Sequence, residues 1–248
     1  MERRLKEEIL FQDKNANNYT LKRETDFIWE IPERIFLISK KYFKSGSTII
    51  DMGCGPCVSV INILPNDILR KCRYIGVDIS RKMLNYAQKN IPHGKFVQGN
   101  IENLDFKDNY AGVILSLGAL HHCEDKLNTL RKWIIILKKG GVILLREPTY
   151  EAMPKGKGES PLEEGIKIQD LLDFLQTQKV ELISLIFFSS PAFHLFNKIM
   201  IKIGLSSWQN VKILWYPVVL VDVFLGKIFQ SKINFFKGYA FCLAFRKL

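Results

Sequence analysis

The sequence predicts a doubly wound α/β sheet, and three observations carry the prediction. Between Thr48 and Arg146, short β-rich runs alternate with helical stretches, the pattern of a parallel sheet covered on both faces. The first run ends in a glycine turn, Ile49-Ile50-Asp51-Met52-Gly53-Cys54-Gly55, and the second, Tyr74-Ile75-Gly76-Val77-Asp78, ends in an acid. The chain has 248 residues, 47% apolar and 25% charged. One domain of that size buries roughly 70–75% of its unfolded surface and needs no disulfide or metal for stability.

The elements follow in order. An amphipathic helix over Asp26–Phe43, interrupted near Pro32, leads into the first strand. Strands are expected at Thr48–Met52, Arg73–Val77, Lys95–Gln98, Ala111–Leu115 and Val142–Arg146. Ser80 is a candidate N-cap for a helix through Lys89, with Met83, Leu84 and Ala87 spaced as a buried stripe. Leu127–Leu137 is a second helix, with Leu127, Leu130, Trp133 or Ile134, and Leu137 inward and Gly140-Gly141 ending it. Tyr150–Gly165 is rich in Gly, Pro, Lys and Glu and reads as a mobile loop. A helix near Ile166–Gln176, a strand at Val180–Phe188, a helical insertion and a last strand around Gly238–Phe245 complete the chain. The whole reads as one domain, with a helical cap over 1–44, a core over 45–190, the insertion over 191–235 and the final strand in 236–248.

The net charge of +11 is unevenly placed. Residues 192–248 carry eight basic side chains against one acid, Asp222, together with twelve aromatics. Such a segment suits a membrane surface, an amphiphilic substrate or an RNA, or else a lid whose lysines snorkel outward. Ile213–Val221, its longest uncharged run in the most apolar part, is nine residues with Pro217 inside, well short of the ~20 that span a bilayer. The amino terminus alternates charges without the apolar core of a signal peptide, so a cytoplasmic protein is expected, with peripheral contact at the membrane's cytoplasmic face left open. The five cysteines, at 54, 57, 72, 123 and 242, then read as reduced thiols.

Gly53 and Gly55 stand at the carboxyl end of the first strand, where open α/β sheets bind ligands, and their missing side chains allow close approach. Asp51 sets this loop apart from a dinucleotide site. A carboxylate there repels a pyrophosphate and suits the cationic end of an amino acid, and the third glycine of the dinucleotide pattern is replaced by Val58. Asp78, twenty-three residues after Gly55, can accept both hydroxyls of a ribose; the plainer alternative makes it a partner of the next helix's N-terminus.

In this order the motifs resemble those of the class I S-adenosylmethionine-dependent methyltransferases, in the small-molecule branch around the ubiquinone and menaquinone methyltransferases. Ile49–Gly55 is similar to the glycine motif, and Tyr74–Ser80 with Met83, Leu84 and Ala87 to the ribose segment. Gln98–Leu104, Leu115–His122 and Leu137–Val142 are similar to the segments after strand three, at strand four and before strand five. The resemblance covers residues 45–148. It implies a Rossmann-like sheet, mostly parallel with an antiparallel last strand, and S-adenosyl-L-methionine as cofactor. It further implies direct in-line methyl transfer to a small or lipid-like acceptor. Carried over by position, Gly53 and Gly55 pass the cofactor, Asp51 lies near its methionyl amino group, and Asp78 with Ile79 takes the ribose. Asn100 and Ile101 meet the adenine, and Leu117 offers backbone to the methionyl side. Asn100 stands where the family usually has an acid, and an amide can still face the adenine edge. Lys139 and Ala111 replace the usual proline and aspartate.

Other readings compete for the same residues. Cys54-Gly55-Pro56-Cys57 spells a thioredoxin-type redox tetrapeptide but overlaps the glycine loop and lacks a preceding Trp. His121 and His122 are adjacent with no companion Cys or carboxylate at zinc spacing, so no metal is expected. Candidate bases for an acceptor hydroxyl are His121, His122 and Glu147, the last alternatively a partner of Arg146 or of a lysine at 155–157; a phenolate-activated carbon acceptor needs none. RNA modification is the alternative function, against which stands the lack of an Asn/Asp-Pro-Pro-Tyr-type motif at Ser116–Ala119, so nucleic acid is not the expected partner. A non-enzymatic binding module is opposed by intact Asp51, Gly53, Gly55 and Asp78. The acceptor is expected to be chosen by the amino-terminal helix with Tyr19, the 150–165 loop and the 191–230 insertion, while the oligomeric state has no signature in the sequence.

Overall fold

A computed structural model describes residues 2–21, 42–160, 162–189, 191, 195, 198–199, 202, 212–229 and 238–248. Among these, seven strands form one sheet: β1 Thr48–Met52, β2 Arg73–Asp78, β3 Lys95–Gln98, β4 Ala111–Leu117, β5 Leu137–Pro148, β6 Val180–Phe188 and β7 Ala240–Lys247. Their order is β3-β2-β1-β4-β5-β7-β6. β1 to β5 pair in parallel, and β7 lies antiparallel between β5 and β6. The expected doubly wound sheet with an antiparallel last strand is the observed one.

Strand alternation divides the apolar residues between two cores. Ile49, Val113, Leu115, Val142 and Leu144 pack on one face, and Ile50, Met52, Ile114, Ile143 and Leu145 on the other. Both faces are therefore covered, which is why these strands read as continuous apolar runs. The chain runs from β1 toward β2 on one side, while β4 lies on the other. The carboxyl ends of β1 and β4 consequently flank a crevice that no connection crosses.

The helices are α1 Glu2–Leu21, α2 Val58–Ile63, α3 Asn66–Lys71, α4 Arg81–Asn90, α5 Lys126–Ile136, α6 Ile168–Thr177 and α7 Lys212–Phe229, with a 3-10 turn at Leu120–His122. α4 starts as read from the sequence, with the Ser80 hydroxyl accepting from the Met83 amide at 3.1 Å and Met83, Leu84 and Ala87 buried. α5 is capped by Asp125, which accepts from the Asn128 amide at 3.0 Å. It stops at Ile136 and not at Gly140-Gly141, because Leu137 already pairs with Ala111 as the first residue of β5. Gly140, at φ +75°, instead turns the strand after that pairing.

α1, Glu2–Leu21, is the amino-terminal helix expected with Tyr19 inside the 1–44 cap; its polar docking contacts are what the sequence did not announce. Its side chains pair within the helix, Arg3 with Glu7 as an ion pair at 3.0 Å and the Gln12 amide donating to Glu8 at 2.8 Å. Polar contacts dock it on α4: the Ser80 hydroxyl bonds Asp13, and the Tyr86 hydroxyl donates to Asn17 at 2.8 Å. The expected Asp26–Phe43 helix lies outside the described residues apart from Tyr42 and Phe43. The 150–165 loop has no helix or strand, yet its base is tied by the Thr149–Ile166 bridge and by the Glu164 amide donating to His121 at 3.1 Å. α7 packs Val219 and Val223 inward, with buried Asp222 accepting from the Ser189 amide at 2.6 Å, and leaves Leu220, Val221, Phe224 and Ile228 exposed.

Candidate active site

A cavity of about 360 Å³ opens at the carboxyl ends of β1 to β4, within the range of small-ligand sites. Asp51, Gly53, Gly55, Asp78, Ile79, Asn100, Ile101, Leu117, His121 and His122 all border it. Glu147 is brought next to this set but does not border the cavity.

The two glycines serve different ends. Gly53 has φ +70°, and a Cβ there would lie 2.2 Å from the Ala119 side chain, so a side chain is excluded by backbone and packing alike. Gly55 has φ +52°, and a Cβ there would meet nothing within 4 Å. Its bareness keeps the space above it open. Asp51 is buried, and the Tyr74 hydroxyl donates to it at 2.5 Å.

Asp78 holds the glycine loop against the second strand. One oxygen accepts from the Gly55 amide and the other from the Ser80 amide, each at 2.8 Å. Because Ser80 caps α4, Asp78 is not the cap. A carboxylate has about four lone-pair positions, so each oxygen keeps one for a further donor. Burial raises its pKa to about 6 despite these amides. The side chain is thus short of donors in the way a ribose diol would correct. Asn100 turns its side-chain oxygen to the Glu102 amide at 2.9 Å, and buried Trp133 fixes the same loop by donating to the Ile101 carbonyl at 3.0 Å.

The opposite end is made of side chains. Glu147, fully buried at the end of β5, accepts from the Ser116 hydroxyl and from the amides of Ala119 and Leu120 with one oxygen. Its other oxygen takes the His121 amide at 3.3 Å and His121 Nδ1 at 2.8 Å. The partners considered from the sequence, Arg146 or a lysine at 155–157, do not take these bonds. Burial raises the Glu147 pKa, but His121 and the backbone donors bring it below the usual carboxylate value. Burial, with His122 beside it, holds the His121 pKa below the usual imidazole value although Glu147 and Glu163 raise it, and Nδ1, facing a carboxylate at 2.8 Å, is the ring donor.

His122 sits between two carboxylates, Nδ1 at 3.1 Å from Glu8 and Nε2 at 3.8 Å from Glu163. Burial lowers its pKa, but Glu8 and Glu163 together turn the net shift upward. The expectation that the two histidines lack a companion carboxylate is therefore corrected. They end a three-residue 3-10 turn, not an α-helix, their rings lie 4.1 Å apart, and Glu163 arrives from a distant loop. Glu8, Gln12 and Tyr19 of α1, with Leu162 and Glu163, wall this end. Of the three expected acceptor-choosing regions, α1 and the 150–165 loop border the cavity, and the described residues of the 191–230 insertion do not.

Burial at this loop disfavours thiol redox chemistry. Cys54 and Cys57 are buried, Cys57 Sγ lies 3.3 Å from the Tyr74 hydroxyl, and burial pushes the Cys54 thiol well above its usual pKa. A thiol nucleophile needs the reverse shift.

A glycine loop with open space above it, an under-satisfied acid at the next strand end and a carboxylate at the first fit S-adenosylmethionine. Residues 50–145 match the family model of the methyltransferase domain. This segment resembles the class I S-adenosylmethionine-dependent methyltransferases. The chain is 32% identical over 114 residues to the demethylmenaquinone methyltransferase of Staphylococcus saprophyticus, covering 45% of this chain and 48% of that one. It is 28% identical over 102 residues to phthiotriol/phenolphthiotriol dimycocerosates methyltransferase 1 of Mycobacterium ulcerans, covering 40% and 37%. These alignments span less than half of either relative's length. Among solved structures, a chain from the Haloferax volcanii complex of the Trm112 methyltransferase activator superimposes with TM-score 0.63 at 15% identity, covering 95% of this chain and 96% of that one. A methyltransferase from Thermotoga maritima gives 0.58 at 16% identity, covering 95% and 97%. Both share the fold.

Proposed function

We propose that this protein transfers the methyl group of S-adenosylmethionine to a small or amphiphilic acceptor. The observation that carries this reading is one cavity with a strand-end half suited to the cofactor and a histidine-lined half suited to a nucleophile. Bound S-adenosylmethionine supplies an activated methyl on its sulfonium. Asp78 would hold the ribose hydroxyls, with Ile79 beside it, and Asp51 the methionyl ammonium. Gly53, Gly55 and Leu117 would line the methionyl side, and Asn100 and Ile101 the adenine. Alignment of nucleophile, methyl and sulfur can lower the barrier by ~7–11 kcal/mol, so the chain's main task is positioning and water exclusion. For a hydroxyl acceptor, His121 would take the proton, and Glu147, bonded to its Nδ1, would act as a positioning residue.

The amphiphilic character of the acceptor is supported by the exposed apolar face of α7, from Leu220 to Ile228, within the basic carboxy-terminal segment. That face suits reversible contact with an anionic membrane surface. No helix among the described residues is long and apolar enough to cross a membrane. Incubating the protein with methyl-labelled cofactor and pools of polar metabolites or membrane lipids, read by mass spectrometry, tests the reading. Label in a lipid-pool product is expected. Label only in polar products removes the amphiphilic acceptor, and label in neither contradicts methyl transfer.

A further inference from the structure

We propose that His121, His122 and Glu163 bind a divalent transition-metal ion of the zinc class at the acceptor end of the cavity. The inference stands on the side chains themselves and does not depend on the methyl-transfer reading. One ligand atom from each of the three residues lies within 4.8 Å of the others. An ion held at ~2.0–2.3 Å bridges donors up to about 4 Å apart, so side-chain shifts of about an ångström close the site. His122 Nε2 and Glu163 are already 3.8 Å apart.

The surroundings are those of metal-binding histidines. Each imidazole gives Nδ1 to a buried carboxylate, His121 to Glu147 at 2.8 Å and His122 to Glu8 at 3.1 Å. This arrangement leaves Nε2 of both rings to the ion and makes them better ligands. Three carboxylates meet at two imidazoles, and the cation bordering the same cavity is Arg146. Gln12 and His122 hold one oxygen of Glu8, while its second oxygen is buried without a hydrogen-bond partner, a position that a nearby dication would stabilise further. Two imidazole nitrogens and one carboxylate oxygen suit a borderline ion and leave a position open for an acceptor oxygen. With the ion in place, His121 serves as a ligand in place of a base, and a coordinated hydroxyl is acidified by the metal. The competing occupant of this geometry is a proton on His122, bridging Glu8 and Glu163.

Cobalt(II), titrated into the chelator-treated full chain, gives visible d–d absorption when held in a protein site. One equivalent is expected to bind, displaced by zinc. Glu163→Gln and His122→Gln should each weaken binding at least tenfold, and Glu8→Gln by about 10–100-fold through loss of orientation. The doubly substituted Cys54→Ser, Cys57→Ser protein should bind as the parent does. Unchanged metal-free melting temperatures show that the variants are folded. No saturable band in the parent, equal binding by Glu163→Gln, or loss of the band in the cysteine variant alone would each overturn the site. S-adenosylmethionine affinity, measured on the same samples, reports separately on the cofactor reading.

Discussion

The two ends of the cavity are built by different means. The end proposed for the cofactor is written into the backbone: Gly53 and Gly55 at positive φ, and an acid closing β2 that pins their loop through the Gly55 amide. The acceptor end is assembled from side chains spread from Glu8 to Glu163, joined by hydrogen bonds centred on Glu147 and His122. A backbone-built site depends on a few residues within one turn. A side-chain-built site depends on tertiary contacts, and its specificity can change without disturbing the first.

The largest effect expected from breaking this division is at Glu147. Glu147→Gln turns an amide donor toward some of the donors that now meet carboxylate oxygens, and losing such a buried hydrogen-bonded charge costs about 3–5 kcal/mol. At 2–4 °C per kcal/mol for a domain of this size, the melting temperature should fall by roughly 6–20 °C. Calorimetry showing a shift under 2 °C would mean that Glu147 is not the centre of the acceptor end.

The glycines sharpen the comparison further. Gly53→Ala forces its Cβ into Ala119, so overpacking of about 1–3 kcal/mol adds to a left-handed penalty of about 1–2 kcal/mol, and the loss is in stability. Gly55→Ala meets open space. It should melt closer to the parent yet bind S-adenosylmethionine at least tenfold more weakly, as a methyl group intrudes on the ligand. Parent-like affinity of Gly55→Ala would show that this wall is not a cofactor surface.

The last effect is that of pH. Asp78, with the Gly55 and Ser80 amides on its oxygens and Asp13 and His122 as charged neighbours, has its pKa raised from 3.8 to about 6. The folded state therefore binds the proton more tightly than the unfolded state. The stability this contributes is present below about pH 4 and lost as pH rises through about 6, an order of 3 kcal/mol. Cofactor hydroxyls need the charged form, so S-adenosylmethionine affinity should drop about tenfold from pH 7 to pH 5. Isothermal titration at the two values checks it; equal affinity would remove Asp78 from the ligand.

What the sequence made legible follows the same division. Strand positions, the Ser80 cap and the cofactor end rest on local constraints: alternation, a capping hydroxyl, glycines where φ is positive, an acid at a strand end. Glu8 and Glu163 carried no such signal. Glu8 lies in a charged segment whose helix is fixed by contacts with Ser80 and Tyr86, and Glu163 in a loop read only by its composition. The stop signal of α5 has the same origin: the helix ends at Ile136, one residue from the expected Leu137, because Leu137 pairs with Ala111 and not because of Gly140-Gly141.

The central claim is that the strand-end half of the cavity holds the ribose of S-adenosylmethionine through Asp78. Its most direct test is a calorimetric titration of the parent and of Asp78→Ala, each with S-adenosylmethionine and with an analogue lacking both ribose hydroxyls. The parent should prefer the natural cofactor at least tenfold, and Asp78→Ala should bind the two alike, the signature of a coupled pair. A parent that does not discriminate, or an Asp78→Ala protein that still does, would contradict the assignment.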